Sequence, residues 1–391
     1  MKKILLAVSS LLLVASCSQQ PSYVINGEIA GAEGKAVLSF MNPVSKTQVS
    51  DTVAIEEGKF VFKGSAEDVV PGKIVILAEN DEPATAHICV ENAALDVKMD
   101  WANVKRNPRR GSVITDVVIE GGVNNAFKKE YAAIPDKVMA QEKYADFVAG
   151  RKKVNEESGN DPKKFMDLHI AFMKEFGAVS EEMEKETKQA KIDFIKANPS
   201  VECAADEYSK MFLGKASLEE LEEVFNAFTP QVQNSAMAQG LKTEIETLKA
   251  IQPGAVAPDF TLETIGGEEF VLSSLKGKYV VLDFWASWCG PCRASIPGIK
   301  EVYAKYKDKG VEIVGISCDR TAEPWRKAVE EDQSPWIHVI DFANEKNGGR
   351  VASKYAIHYI PTLYLLDQEG KMIGKINHHE LGDKLKELLG E

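Results

Sequence analysis

The chain has 391 residues, which is enough for roughly two or three domains with hydrophobic cores of their own. Hydrophobic residues make up 44% of it and charged residues 27%, a globular composition that excludes a chain disordered throughout. The formal net charge of −12 at pH 7 excludes a general electrostatic attraction to nucleic acid.

The amino terminus has the pattern of an export signal. Two lysines precede an apolar run over residues 4–15, which is shorter than the ~20 residues that span a bilayer. The junction LVASC resembles a lipoprotein signal, in which the cysteine is acylated and becomes the new amino terminus. We therefore expect residues 1–16 to be a signal peptide, Cys17 to be the lipid anchor and residues 17–22 to form a linker. An ordinary cleavage site that leaves a cysteine is the alternative.

Residues 23–115 have the pattern of a β-rich module. Short runs of alternating apolar and polar residues, such as YVINGEI and TVAIEEGKFVFKG, are separated by Gly, Pro and Asn. The stretch EEGKFVFKG predicts a hairpin with Glu57 and Gly58 at its turn. Because no long helical pattern intervenes, we expect an antiparallel, sandwich-like module.

Residues 116–250 are predicted to be helical. Apolar side chains recur every three or four residues over 165–194, which places them on one face of a long helix. Asp161 and Pro162 are suited to begin this helix, and Asn198–Pro199 to end it. Such a stripe packs into the core of its own chain or forms the seam of a homodimer; we expect the core.

Residues 251–391 alternate between strands and helices, and the Pro- and Gly-rich stretch QPGAVAPDF marks their beginning. The buried-strand runs KYVVLDFWA and GVEIVGIS are followed by helical patterns over 292–308 and 322–331. PTLYLLD and MIGKI then predict a strand pair before a last helix near 381–389. This order predicts an α/β domain whose sheet is covered by helices on both faces.

The stretch DFWASWCGPC places two cysteines between a buried strand and a helix. Pro291 fits the first helical turn, so we expect Cys289 at the helix N-terminus, exposed to solvent. Unpaired N–H groups at that position favour the thiolate, the form that attacks disulfides. We therefore expect Cys289 to be the nucleophile and Cys292, almost one turn further on, to resolve the mixed disulfide.

Two other uses of this cysteine pair fit the sequence less well. A structural zinc site needs four ligands, but the chain has no second CxxC pair, and we expect His378 and His379 to face solvent. A structural disulfide across so short a loop would restrain the unfolded chain little. We therefore expect no metal and no bound cofactor, only a redox-active disulfide between Cys289 and Cys292. A peroxidase is also disfavoured, since no Pro-x-x-x-Thr/Ser pattern precedes Cys289.

Three more cysteines, Cys89, Cys203 and Cys318, are widely spaced along the chain. Such spacing is a poor disulfide framework, whereas isolated cysteines commonly pack as small hydrophobic residues. We expect each of the three to lie singly in the core, with no cysteine beside Cys89 or Cys318 to resolve a redox reaction.

The segments APDFTL, FWASWCGPCR and YIPTLYLLDQEGK together resemble the extracytoplasmic thioredoxin-like proteins of the TlpA/ResA type. The resemblance covers residues 251–391 and implies a thioredoxin-like fold. It implies that Pro361 is a cis-proline beside the cysteine pair, that the backbone of Ile360 is offered to substrate, and that Trp288 shapes the docking surface. The β-rich and helical segments resemble, more weakly, the amino-terminal module of some Gram-negative lipoproteins.

The same resemblance implies a role for Asp283, at the position of the buried carboxylate of thioredoxins. Burial raises the pKa of such a carboxyl group and lets it accept the proton of Cys292. Many extracytoplasmic members do not keep an aspartate there, and a strand residue held by hydrogen bonds is the alternative.

The prediction for the whole chain is a membrane-anchored thiol–disulfide oxidoreductase that reduces disulfides in exported proteins. Its CGPC motif matches thioredoxin, whose potential of about −270 mV is far below the roughly −120 mV of the periplasmic oxidase of the same fold. The resemblance implies a membrane-embedded thiol donor, with cytochrome c maturation or rescue of oxidised proteins as tasks. A disulfide oxidase or isomerase and a scaffold lipoprotein with a vestigial redox domain are the alternatives.

The predicted location is periplasm-facing and on the outer membrane. Ser18, which follows the anchor, is not the acidic residue that lipoprotein rules link to inner-membrane retention.

Overall fold

A computed structural model describes residues 22–109, 111–343 and 347–391, so the signal segment and Cys17 lie outside the described residues. The described chain divides into two compact units. The first comprises residues up to Lys191 together with Val201–Cys203, and the second comprises Ile192–Ser200 together with Ala204–Glu391. No helix within the described ranges is both long and apolar enough to cross a membrane.

Ten strands come first in the described part of the first unit, and along two of them, Val70–Ala78 and Ala94–Asp100, buried and exposed residues alternate, because successive side chains of a strand point to opposite faces. In chain order they are β1 (Tyr23–Ala30), β2 (Gly34–Met41), β3 (Gln48–Ile55), β4 (Lys59–Gly64), β5 (Val70–Ala78), β6 (Ala84–Val90), β7 (Ala94–Asp100), β8 (Val104–Lys105), β9 (Ser112–Ile114) and β10 (Val118–Glu120).

These strands form two sheets, in the orders β10-β7-β1-β4 and β3-β2-β5-β6-β9-β8. Tyr23 on β1 and Phe40 on β2 are both buried, and their ring centroids lie 6.3 Å apart, so the buried faces of the two sheets meet. The β-rich, sandwich-like module is therefore as predicted. The purely antiparallel pairing is wrong, since β1 pairs in parallel with β7 and β6 in parallel with β9.

The predicted hairpin turn at Glu57 and Gly58 is confirmed. Both residues have positive φ, 50° and 75°, and the backbone groups of Glu56 and Lys59 hydrogen-bond each other across the turn. The two strands that it joins, β3 and β4, then continue into different sheets. Such crossings bring strands that run in the same direction side by side, which accounts for the parallel pairs.

Four helices follow: α1 (Val123–Ala132), α2 (Ile134–Met139), α3 (Ala145–Ser158) and α4 (Pro162–Lys196). The Asp161 carboxylate accepts hydrogen bonds from the first N–H groups of α4, so the predicted start of the long helix is confirmed. On its apolar stripe, Phe172 is buried against Phe147 and Val154 of α3, as expected for core packing. Phe165, one turn from the start, is 38% exposed.

The remaining helices before the last domain are α5 (Glu202–Phe212), α6 (Leu218–Ala227), α7 (Pro230–Asn234) and α8 (Gln239–Ala250). Seven strands and four helices then alternate, as β11 (Thr261–Thr264), β12 (Glu269–Val271), β13 (Tyr279–Trp285), α9 (Gly290–Tyr306), β14 (Val311–Ser317), α10 (Ala322–Asp332), β15 (Ile337–Ile340), α11 (Val351–Lys354), β16 (Thr362–Leu366), β17 (Met372–Ile376) and α12 (Leu381–Leu388).

The seven strands form one mixed sheet in the order β12-β11-β15-β14-β13-β16-β17. The central strands β13, β14 and β15 pair in parallel, and the outer pairs are antiparallel. One face packs on α9 and α12, where Val281 meets Ile296 and Leu385. The other face packs on α11 and the segment before β11, where Leu282 lies in the same core as Val351 and Phe260. The predicted α/β domain with both faces covered, a thioredoxin-like fold, is confirmed.

Candidate active site

The cysteine pair lies where the central strand β13 passes into helix α9. All but the first residue of β13 are buried, so the strand places its carboxyl end rigidly at the edge of the sheet. Cys289 is the residue that precedes the first turn of α9, and Pro291 lies within that turn, as predicted. The backbone N–H of Cys292 donates a hydrogen bond to Cys289 Sγ at 3.2 Å. A helix N-terminus that donates to sulfur stabilises its thiolate form.

Cys289 and Cys292 are joined by a disulfide bond. The expectation that Cys289 is exposed is wrong, because its exposed fraction is only 5% and that of Cys292 is 3%. Both cysteines pack in an apolar cluster with Trp285 and Trp325. The exposed group is their neighbour Trp288, 69% exposed, which lies at the surface beside the buried pair.

The loop before β16 closes over the same cluster. The peptide bond between Ile360 and Pro361 is cis, as the family resemblance implied, and Ile360 packs against the cluster that contains the two cysteines. Residues 279–292 and the cis-proline loop are therefore neighbours in the fold although some 70 residues separate them in sequence.

A groove of about 880 Å³ runs from Trp288 to this loop. Two exposed aromatic side chains, Trp288 and Tyr359, line it, together with the cations Arg320 and Arg350. Its lining consists of Ser287, Trp288, Cys318, Asp319, Arg320, Thr321, Pro324, Arg350, Ala352, Ile357, His358, Tyr359 and Ile360.

Asp319 holds the loop that carries Trp288. Its buried carboxylate accepts hydrogen bonds from the backbone N–H and the hydroxyl of Ser287, at 2.9 and 2.7 Å, and from the hydroxyl of Ser317 at 2.7 Å. The loop before the cysteine pair is thereby tied to the end of β14. Sequence reasoning missed this residue, although an aspartate directly after a buried strand is a pattern that could have indicated it.

Cys318 lines the groove and packs against the cluster that contains Cys289 and Cys292, but it forms no disulfide bond itself. Burial, with a contribution from the Asp341 carboxylate, raises the pKa of the Cys318 thiol to about 12. The thiol therefore stays protonated at neutral pH and does not compete with the pair as a nucleophile.

Asp283 lies on the same face of β13 as Val281 and Trp285, because side chains two residues apart on a strand share a face. That face carries α9, whose first turn holds the cysteine pair. Asp283 is 5% exposed, and among the described residues its Oδ1 atom has no hydrogen-bond partner. The alternative interpretation, in which hydrogen bonds hold both carboxylate oxygens of Asp283, is therefore wrong.

His378 faces this carboxylate. Its Nε2 atom lies 3.8 Å from Asp283 Oδ1, and its side chain is only 18% exposed. The expectation that both adjacent histidines face solvent is therefore wrong for His378 and right for His379, which is 81% exposed. The reason is the turn before α12, where Asn377 and Glu380 cap each other and point His378 inward.

The described residues include no group of three or more His, Cys, Asp or Glu side chains arranged to hold a metal ion. The facing pair of Asp283 and His378 supplies only two of the four ligands that a structural zinc site needs.

Comparison with known proteins agrees with this geometry. Residues 253–375 match the model of the AhpC/TSA family, and residues 23–127 match a domain of unknown function, DUF4369. The thiol-disulfide oxidoreductase ResA of Bacillus thuringiensis subsp. konkukian is 34% identical over 151 residues, which span 39% of this chain and 83% of that protein. ResA of Bacillus cereus (strain ZK / E33L) is 35% identical over 139 residues, 36% of this chain and 75% of that protein.

The solved structures that are similar to this chain include further thiol-disulfide oxidoreductases. The thioredoxin domain of a thiol-disulfide oxidoreductase from Bacteroides vulgatus is 36% identical, covering 35% of this chain and 97% of that domain with a TM-score of 0.33. Because the chain is about a third identical to ResA over most of ResA's length, it belongs to the ResA/TlpA-type thiol-disulfide oxidoreductases.

Proposed function

We propose that this thiol-disulfide oxidoreductase reduces disulfides in exported proteins from a lipid anchor at Cys17, facing the periplasm from the outer membrane. The observation that carries the proposal is the Cys289–Cys292 pair at the start of α9, packed beside the cis-proline loop. The Gly-Pro dipeptide between the cysteines favours a reducing potential. A membrane-embedded thiol donor would renew the dithiol, and cytochrome c maturation or repair of oxidised proteins would be the task.

The reaction begins when the Cys289 thiolate attacks one sulfur of a client disulfide. The client S–S bond breaks, a mixed disulfide forms on Cys289, and the departing client sulfur takes up a proton. Cys292 then loses its proton to Asp283 and attacks Cys289 Sγ, which releases the second client thiolate. Two electrons have moved to the client, and the Cys289–Cys292 disulfide is the state described here.

Client binding is assigned to the groove beside the pair. An extended client segment would lie between Trp288 and Tyr359, with its backbone against that of Ile360 next to Pro361. The aromatic side chains offer apolar contact, and the arginines favour clients with acidic residues near the disulfide. The site thus fits unfolded or extended protein segments better than a small ligand.

The reduction potential of the couple tests the direction of electron flow. We expect a value near −270 mV when the protein is equilibrated with defined thiol–disulfide buffers. Fluorescence of Trp288, beside the pair, and the mass increase on alkylation both report the fraction reduced. A value near −120 mV would instead establish a disulfide-forming catalyst.

The matched control is the double variant C289S/C292S. It should retain the fold and lose all reduction of protein disulfides, whereas C318S should leave the reduction potential unchanged, because the Cys318 thiol stays protonated at neutral pH. If C289S/C292S retained full function in cells that need the protein, the scaffold alternative would replace the enzyme.

A further inference from the structure

A second pair of cysteines lies in the first unit, whereas Cys289 and Cys292 belong to the second. Cys89 near the end of β6 and Cys203 near the start of α5 are both 0% exposed, and their sulfur atoms are 2.8 Å apart. The expectation that Cys89 packs without a neighbouring cysteine is therefore wrong. The pair could not be found from spacing, because 114 residues separate the two positions.

Two adjacent asparagines hold this pair in place. The side chain of Asn125 bonds both backbone groups of Cys89, accepting from its N–H at 3.0 Å and donating to its carbonyl at 2.8 Å. The side chain of Asn124 accepts from the backbone N–H of Cys203 at 2.8 Å. Since both asparagines belong to the first turn of α1, one element sets the positions of both cysteines.

A buried carboxylate fixes the asparagines in turn. Glu91 accepts hydrogen bonds from the backbone N–H groups of Asn124 and Asn125, at 3.1 and 3.0 Å, and from both of their side-chain amides. The first turn of α1 is thus capped, and each amide is held in one orientation. The two sulfur atoms face each other because the surrounding network, all of it buried, leaves their backbones little freedom.

We propose that Cys89 and Cys203 form a structural disulfide bond in the mature protein. Closing the 2.8 Å gap to the ~2.05 Å of an S–S bond needs a displacement of less than about 1 Å. The reaction joins the two sulfurs and transfers two electrons and two protons to an external disulfide, which becomes two thiols. Because both sulfurs are fully buried in the folded chain, exchange takes place before these segments close over the pair.

The two bridges of the chain then serve opposite purposes. The Cys289–Cys292 bond closes a loop of sequence separation 3, restrains the unfolded chain little and is free to open and close. A Cys89–Cys203 bond closes a loop of separation 114, so it removes far more conformational freedom from the unfolded chain. It is also shielded from thiols, including the client thiols and donors that the active site meets. The natural occurrence of this bond rests on the export proposed above, but not on the reductase activity.

Peptide mapping of the full chain tests the bridge. The reduced chain would be refolded in a mixture of glutathione and glutathione disulfide, denatured in the presence of iodoacetamide, and digested without reduction. We expect mass spectrometry to find the Cys89 and Cys203 peptides cross-linked and Cys318 alkylated. Recovery of Cys89 and Cys203 as alkylated peptides would overturn the proposal. Because the refolding buffer supplies the oxidant, the result does not depend on where the protein resides.

A second measurement tests whether the bridge stabilises the folded protein and is shielded from external thiols. In the C289S/C292S background, dithiothreitol should not reduce the cross-link while the protein is folded. It should, however, reduce the cross-link in the unfolded chain and thereby lower the urea concentration at the midpoint of unfolding. The further variant C89A/C203A in that background should unfold at a midpoint that dithiothreitol does not change. A cross-link that opens in the folded protein as fast as the Cys289–Cys292 pair of the wild type would contradict the shielded bridge. With Cys289 and Cys292 present, C89A/C203A should keep the wild-type reduction potential, and a shifted potential would contradict a purely structural bridge.

Discussion

Asp283 and His378 present two facing polar atoms that lie 3.8 Å apart in the interior. Among the described residues, Asp283 Oδ1 and His378 Nε2 are both buried without a hydrogen-bond partner. A buried polar group left in this state costs about 1–3 kcal/mol, which is tolerated most readily where the group serves a reaction. Asp283 lies on the face of β13 that packs on α9, and the proposed acceptance of the Cys292 proton would give its carboxylate such a use.

The substitution Asp283→Asn should therefore change stability and activity in opposite directions. The neutral amide removes a buried carboxylate, which we expect to raise the free energy of unfolding by about 1–2 kcal/mol. Loss of the proton acceptor should slow the release of the mixed disulfide roughly 100-fold at pH 7. Urea unfolding and stopped-flow release of a client thiol measure the two effects. Glu369→Gln, at an exposed carboxyl group in the same domain, is the control and should change neither the stability nor the rate. A loss of both stability and rate in D283N would indicate a merely structural role for Asp283.

His338 makes the stability of the second unit depend on pH. It is 5% exposed on β15, and burial lowers the pKa of its imidazole to about 4. Between pH 6.5 and 4 the unfolded chain binds a proton that the folded chain does not, so the free energy of unfolding falls as the pH falls. Above pH 6.5 both states are neutral, and this contribution vanishes.

We expect this single group to reduce the free energy of unfolding by up to about 3 kcal/mol between pH 7 and pH 4. Urea unfolding of the wild type and of His338→Asn across that range measures the difference in slope. The asparagine cannot take up the proton, so its curve should be flatter whatever its stability at pH 7. Equal slopes of the unfolding free energy against pH in the two proteins would show that His338 takes up its proton in the folded chain over the same pH range as in the unfolded chain.

At the scale of elements, α8 supports the loop that carries the cis-proline. Glu244 on α8 and His358 in that loop form a contact of 2.8 Å between Oε1 and Nε2, three residues before Pro361. Leu248 on the same helix packs against the core under the sheet. Helix α8 therefore belongs physically to the same unit as the redox site and supports the loop before Pro361.

Removing this support should affect large substrates first. We expect Glu244→Ala to lower the free energy of unfolding by about 1–3 kcal/mol, since it leaves His358 without its partner, and to raise KM several-fold for a protein disulfide. The rate with a small disulfide should stay within about twofold, because Cys289 and Cys292 are untouched. Glu246→Ala, at an exposed position of the same helix, is the matched control. Equal losses on both substrates would place the effect on the cysteine pair itself.

The elements that sequence patterns predicted are those with a strong local periodicity. Strands β13 and β14 are nearly continuous apolar runs, and α4 has a capped start and a stripe of regular spacing. The strand β15 and the helix α11 were missed because each has only four residues. The conformation of each depends on its neighbours. Strand β15 pairs in parallel with β14. The first N–H groups of α11 donate hydrogen bonds to the Asp341 carboxylate.

For the whole molecule, the lipid anchor proposed at Cys17 would decide where the redox unit can act. We expect the wild-type chain to be recovered in the outer-membrane fraction and to incorporate a labelled fatty acid. The variant Cys17→Ala should incorporate none and should be recovered with soluble protein, because the only acylation site proposed has been removed. C318A is the control and should fractionate as the wild type does. Membrane recovery of C17A would show that another segment holds the protein.

The class of the last domain and the position of its cysteine pair at a strand–helix junction could both be predicted from the sequence alone. Both predictions rest on local sequence patterns. The domain class follows from buried-strand runs that alternate with helical patterns, and the position of the pair follows from a CxxC motif whose proline fits a first helical turn. The predicted order of β-rich, helical and α/β segments follows from the same local signals.

Only the tertiary structure decided which distant side chains meet and which are shielded. Cys89 reaches Cys203 across 114 residues, and His378 turns inward to Asp283 although its neighbour His379 stays exposed. Cys289 is buried because Trp285, Trp325 and Ile360, which come from three separate segments, close around it. Local periodicity carries no information on such contacts, since they arise from packing between elements whose spacing in sequence is arbitrary.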